Sequence, residues 1–135
     1  MRETVAALRP RKILLIDDDE LIAGALRSHL ASAGCDVDIA SDRAGAEALM
    51  ARRSYVAVMV DPYLTGGVVG DRLALIDSVR TMQPEAALIV ATAYATPAIA
   101  ASLAEGRIQQ LLIKPRPVAE LGRAVIFPTL EGPDE

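Results

Sequence analysis

Short apolar runs alternate with segments of helical period along most of the chain, and this alternation limits the fold more than any other feature. Lys12 to Ile16 is an apolar run ending in acids, and Tyr55 to Val60, Ala87 to Ala91 and Leu111 to Ile113 are similar runs. Runs this short that are apolar throughout suit strands covered on both faces, which is the habit of parallel sheets. Val37 and Ile39 alternate with Asp36 and Asp38, the pattern of an edge strand with one buried face. Between the runs, Leu21, Ile22, Ala25, Leu26 and Leu30 recur at helical spacing and Gly34 is a good stop. Ser41 is the expected cap of a second helix, with Asp42 in its first turn, reaching about Arg53. A Gly-rich loop, Pro62 to Gly70, leads to a third helix from Asp71 to Met82, stopped near Pro84. Thr96-Pro97 reads as cap and first residue of a fourth helix ending before Gly106. Pro117 opens a fifth helix, to about Phe127. Five strands alternating with five helices, joined by right-handed crossovers, predict a doubly wound α/β domain. Its five-stranded parallel sheet is expected in the order 2-1-3-4-5.

At 135 residues the chain suits one domain, and a 52% hydrophobic composition excludes a disordered one. The expected organisation is a flexible leader over residues 1–10, the folded domain over 11–127 and a flexible Pro/Gly/acid tail over 128–135. The net charge of -4 has the wrong sign for a nucleic-acid footprint. Tyr55, Tyr63, Tyr94 and Phe127 are too scattered to stack bases. Cys35 is the only cysteine, so no internal disulfide is possible, and a cytoplasmic location is expected. There is no signal-peptide core near the N-terminus. Ala86 to Ala104 carries no charge, but Thr92, Thr96, Ser102 and Pro97 interrupt it. It reads as a buried strand and a helix, without membrane insertion. His29 reads as an ordinary residue of the first helix.

In a sheet of this order ligands bind beyond the carboxyl ends of the strands. The first strand ends at Asp17-Asp18-Asp19-Glu20, the third at Asp61, the fourth at Thr92 and the fifth at Lys114. Two carboxylates about 4 Å apart repel by roughly 4 kcal/mol at an effective dielectric near 20. A divalent cation relieves that repulsion, and Mg²⁺ favours one or two carboxylates with several waters. Lys114 and the Thr92 hydroxyl can take further phosphate oxygens. Asp61 is then placed as a nucleophile forming an aspartyl phosphate.

These residues resemble the receiver domain of two-component response regulators, a flavodoxin-like fold. Ile13-Leu-Leu-Ile-Asp17-Asp18-Asp19-Glu20 is similar to that family's opening, and Asp61, Thr92-Ala93 and Lys114-Pro115 complete its pattern. The resemblance covers about Arg11 to Phe127. It implies Asp61 as phospho-acceptor, and Asp17, Asp18, Asp61 and the backbone carbonyl of Tyr63 as the Mg²⁺ site, with Asp18 the more direct ligand. It implies Thr92 as the hydroxyl that moves toward the phosphoryl group, Ala93 as the space beside it, and Lys114 as the phosphate-binding lysine before a cis proline. The implied donors are a sensor histidine kinase or a histidine phosphotransfer protein. Output would pass to a downstream protein target or along a phosphorelay.

Four departures stand out. The signalling position three before the lysine, usually aromatic, is Leu111. The loop after Asp61 has Thr65 for the usual Pro and its last Gly one residue late. Tyr63 and Tyr94, two after Asp61 and Thr92, are large rings at positions that flank the attacking water in receivers, which predicts slow phosphate loss. The fourth helix has no charge before Glu105, which argues against a dimer through charged pairs there. The chain ends soon after the pattern, so a stand-alone phospho-accepting switch, and not an enzyme, is expected. A receiver-like binding module working without phosphate is the alternative. A haloacid-dehalogenase-type phosphatase ranks lower, because its signature needs a late acid cluster. Acids after the first strand exclude a flavodoxin-type cofactor site.

Overall fold

The computed structural model describes residues 10–64 and 71–128. Most of the expected leader, most of the tail, and Thr65 to Gly70 lie outside the described residues. The strands are β1 (Arg11–Ile16), β2 (Cys35–Ala40), β3 (Ala57–Val60), β4 (Ala87–Thr92) and β5 (Gln110–Ile113). The helices are α1 (Glu20–Ser32), α2 (Arg43–Arg52), α3 (Asp71–Met82), α4 (Pro97–Ala104) and α5 (Val118–Ile126). The sheet runs β2-β1-β3-β4-β5 and every pairing is parallel, as expected.

The apolar runs divide by residue parity. Leu14, Ile16, Val58, Val60, Leu88 and Val90 face one side and pack with Ala46 and Met50 of α2, Leu75, Ile76 and Val79 of α3, and Ile99 of α4. Ile13, Leu15, Ala57, Met59, Ile89 and Ala91 face the other and pack with Leu26 and Leu30 of α1 and Leu121, Ala124 and Val125 of α5. Alternate side chains of a strand point to opposite faces, so a sheet covered twice needs runs apolar at every position. Each such Ile, Leu or Val contributes about 1.5–3 kcal/mol by burial. Among the described residues, no helix is long and apolar enough to cross a membrane.

Local chemistry sets the helix ends. Asp19 caps α1 by accepting from the Ile22 N–H at 3.2 Å. Gly34 and Gly106 follow α1 and α4 with φ of +91° and +79°, where a side chain would be strained. The cap of α2 corrects the expected one: Asp42, not Ser41, accepts from Gly45 N–H at 2.7 Å. A cap must reach the amide three residues on, and the helix starts at Arg43, so Ser41 lies one residue too early. Pro117 likewise sits at the cap position of α5 and not inside the helix.

The third run also begins later than Tyr55. Val56 is 46% exposed, and Tyr55 is buried beside the sheet edge. The Tyr55 hydroxyl donates to Asp38 Oδ2 at 2.7 Å, which explains why Asp38, expected on the solvent side of β2, is half-buried. Burial and the neighbouring carboxylate push the Tyr55 hydroxyl up from its ordinary pKa. The folded state therefore holds the protonated phenol, and its stabilisation is complete below the ordinary tyrosine range and lost as pH rises beyond it. Tyr55→Phe is expected to cost about 1 kcal/mol at neutral pH and to flatten the fall in stability above roughly pH 10, read by urea melts at several pH values.

Candidate functional site

The sheet ladder continues past the ends of its strands and fixes where the polar side chains leave the backbone. The Asp17 N–H donates to Ala40 carbonyl at 3.0 Å, Asp61 N–H to Ile16 carbonyl at 2.9 Å, and Lys114 N–H to Thr92 carbonyl at 2.9 Å. Asp17, Asp61 and Lys114 each begin from a backbone pinned to a neighbouring strand, and their side chains converge. Lys114 Nζ donates to Asp17 Oδ2 at 2.6 Å and to Asp61 Oδ2 at 3.1 Å. The three side chains are only 13–15% exposed.

The second oxygen of each carboxylate is also held. Asp17 Oδ1 accepts from Asp19 N–H at 2.9 Å, and Asp61 Oδ1 from Tyr63 N–H at 3.0 Å. Burial pushes the Asp17 carboxyl above its ordinary value, although Lys114 and the Asp19 amide oppose the shift. Burial pulls Lys114 down, but the hydrogen bond and charge of Asp17, together with Asp61, outweigh it and leave its ammonium more firmly protonated. One cation serving two carboxylates leaves a net negative charge in a poorly hydrated corner. Asp18, next in the chain, is half-buried.

This surplus of negative charge among oxygen donors fits a hard divalent cation. Among the described residues, no three His, Cys, Asp or Glu side chains form a ready cage for one.

Thr92 is fully buried at the end of β4. Its Oγ1 accepts from Tyr94 N–H at 3.2 Å and lies 3.5 Å from Tyr94 carbonyl, so the hydroxyl is engaged with its own turn. Ala93 is exposed beside it. The Tyr63 and Tyr94 rings meet edge to face, with centroids 5.9 Å apart and planes at 69°. Leu111, half-buried on β5, packs against the core face that carries α2, α3 and α4. The Lys114–Pro115 bond is cis, as the resemblance implied.

The structure thus brings Asp17, Asp61 and Lys114 into direct contact, puts Thr92 at the end of β4 with Ala93 and Tyr94 on the loop that follows, and puts Tyr63 on the loop after β3. The sequence reading gave Lys114 to phosphate alone and missed its ion pairs with the acids. Opposite charges at the ends of β1, β3 and β5 were the available signal. It also missed the Asp19 amide, which orients Asp17 while its side chain caps α1.

The family model of the response regulator receiver domain matches residues 13–126. The chain belongs to the response regulator receiver family. The photosynthetic apparatus regulatory protein RegA of Rhodobacter capsulatus is 25% identical over 116 residues, covering 86% of this chain and 61% of that protein. A solved response regulator from Burkholderia pseudomallei, with a phosphorylated aspartic acid, calcium ion and citrate, is 30% identical with a TM-score of 0.74. That match covers 85% of this chain and 66% of the Burkholderia chain. A CheY-like receiver domain protein from Methanospirillum hungatei JF-1 is 19% identical with a TM-score of 0.78, over 89% of this chain and 94% of its own, and shares the fold. This receiver therefore spans about three fifths of RegA and two thirds of the Burkholderia protein. Receiver domains are signalling modules and not classical enzymes.

Proposed function

We propose that this receiver takes a phosphoryl group from a histidine on a sensor kinase or phosphotransfer protein onto Asp61. The observation that carries the reading is the convergence of Asp17, Asp61 and Lys114 where β1, β3 and β5 end. An Asp61 carboxylate oxygen forms a bond to phosphorus as the donor's phosphorus–nitrogen bond breaks, and the imidazole leaves. Lys114 moves its charge from Asp61 to a phosphoryl oxygen, and the Thr92 hydroxyl donates to another. Asp18, Asp61 and the Tyr63 carbonyl would hold Mg²⁺, with Asp17 acting through water. Bound there, the cation supplies positive charge to the phosphoryl oxygens during transfer. The calcium ion and phosphorylated aspartate of the 30% identical Burkholderia protein support an aspartate acceptor with a divalent cation.

The phosphorylated state is then read by a protein target or passed onward in a relay, in the cytoplasm, without direct nucleic-acid contact or membrane insertion. The expected domain bounds, 11–127, stand as part of this proposal. Leu111, in place of the usual ring, favours one second reading, a binding module that works without phosphate.

Incubation with Mg²⁺ and a small-molecule phosphodonor decides between them. One phosphoryl group per chain by intact mass, lost on adding chelator, is expected. A chain that stays unlabelled by the donor and by histidine kinases is the binding module. Tyr63 and Tyr94 also screen the acceptor from water. Replacing both by small polar residues is expected to shorten the phosphoryl half-life about tenfold, equivalent to ~1.4 kcal/mol of barrier. The decay of the labelled mass measures it.

A further inference from the structure

The helices α1 and α5 pack tightly at one end and leave a cleft toward the other. Gly122 of α5 faces the His29 ring so closely that a Cβ there would lie 2.6 Å from a ring carbon. Nearer the start of α1, the small side chains of Ala23 and of Ala91 on β4 leave space between the two helices and the sheet. Leu26, Met59 and Leu121 add to the apolar wall of this cleft. At the carboxyl edge of the sheet its lining turns polar, with Asp17, Asp61 and Lys114. The cleft encloses about 290 Å³ counted with its open mouth, and its inner part is narrow. Drug-sized ligands fill roughly 300–1,000 Å³, so an occupant here is small and slender.

The polar rim and the apolar wall make separate demands. One ammonium and two carboxylates leave the rim negative. Each Oδ1 of Asp17 and Asp61 accepts from a backbone amide, and each Oδ2 from Lys114. A carboxylate oxygen has two lone pairs, so each has room for a second donor. A purely apolar molecule leaves that charge unanswered, and a hydrated metal ion leaves the wall uncovered. A primary ammonium on a short unbranched chain meets both demands, with N–H donors at the acids and methylenes in the cleft. Burial of each methylene strengthens binding about fourfold.

We infer that the cleft between α1 and α5 is a binding site for small n-alkylammonium ions, with the head on Asp17 and Asp61 and the chain against Ala23, Met59 and Leu121. Binding involves no covalent step and needs no phosphoryl group. On the acceptor reading, the bound head occupies the carboxylates that Mg²⁺ and phosphorus would meet. Such ions therefore oppose phosphoryl uptake.

NMR of ¹³C-methyl methionine, with n-propylammonium as the probe in metal-free buffer, tests it. Met59 lines the cleft, whereas Met50 and Met82 pack on the opposite face of the sheet and serve as internal controls. Single Met→Leu variants assign the resonances. The Met59 methyl is expected to shift saturably while Met50 and Met82 stay unmoved. Ammonium, n-propanol and tert-butylammonium are each expected to bind at least about tenfold more weakly, since each lacks the chain, the charge or the slender shape. Ala91→Val, which narrows the cleft, is expected to weaken n-propylammonium, and the comparison probes on the wild-type chain decide the matter if that variant fails to fold. A Met59 methyl that n-propylammonium leaves unmoved at its highest soluble concentration overturns the inference. Equal binding by any of the three comparison probes overturns it too, because the chain, the charge or the cleft is then not what selects the ligand. Phosphoryl uptake, read by intact mass, is expected to fall over the same range of probe, and uptake unchanged at saturation overturns the antagonism. A wild-type chain that takes no label counts against the acceptor reading alone, because the Met59 titration does not depend on it.

Discussion

Asp61→Asn is expected to take up no phosphoryl group under conditions that label the wild-type chain, and to remain folded. The amide keeps the size and planar shape of the carboxylate but lacks the anionic oxygen that attacks phosphorus. Its oxygen can still accept from Tyr63 N–H, so the loop after β3 keeps its anchor. The electrostatics also tolerate the change. Lys114 is shared between two buried carboxylates, and Asp61 is one of the charges that push the Asp17 carboxyl upward. Removing that charge leaves one ammonium facing one carboxylate. Stability at neutral pH is therefore expected to hold within about 1 kcal/mol or to rise, as relief of like-charge repulsion allows. Intact mass and a thermal melt on one preparation check both halves. Wild-type levels of label on the variant would move the acceptor to another residue.

The largest effect on stability is expected at Gln83, far from the site. The residue is 6% exposed, and its amide is bonded on both ends. Gln83 Oε1 accepts from Tyr55 N–H at 2.9 Å, and Nε2 donates to the carbonyls of Met50 at 3.0 Å and Arg53 at 2.8 Å. One side chain after α3 thus satisfies two carbonyls at the end of α2 and the amide that leads into β3, where the helix has run out of its own partners. Gln83→Met keeps the volume and removes all three bonds. Each buried backbone group left unpaired costs about 1–3 kcal/mol, and water recovers part of this at the exposed Arg53. A loss of about 3 kcal/mol follows, or roughly 10 °C in Tm for a domain of this size. Phosphoryl uptake at low temperature is expected to be unaffected, because Gln83 touches none of the site residues. A melt within about 2 °C of wild type would show that solvent replaces the amide.

The parts of the molecule that the sequence exposed share one cause. Ile13 to Ile16 is apolar at every position because both faces of β1 are covered, and period and polarity are local properties that survive in one dimension. The same holds for the acids that end β1 and for Asp61, which break those runs abruptly. The cap of α2 was off by one residue because Ser41 and Asp42 are both good caps, and only the start of the helix at Arg43 chooses between them. Gln83 gave no signal, since a glutamine after a helix looks like any exposed polar residue. Asp38 misled in the opposite way: its alternation with Val37 and Ile39 suggested water, and the Tyr55 hydroxyl covers it.

By itself, the sequence determined the fold class, the strand order and the family, together with the residues that gather at the carboxyl edge. Those follow from runs of apolar residues and from which polar residue ends each run. The tertiary structure decided who touches whom there. Lys114 is paired with Asp17 and Asp61 before any phosphate is bound, Thr92 is held by the Tyr94 turn, and Tyr63 rests against Tyr94. Lys114 is 97 residues from Asp17 and 53 from Asp61. Contacts at such separations depend on how strands align side by side and on which rotamer each side chain adopts after burial. Neither is written in the spacing of residues along the chain.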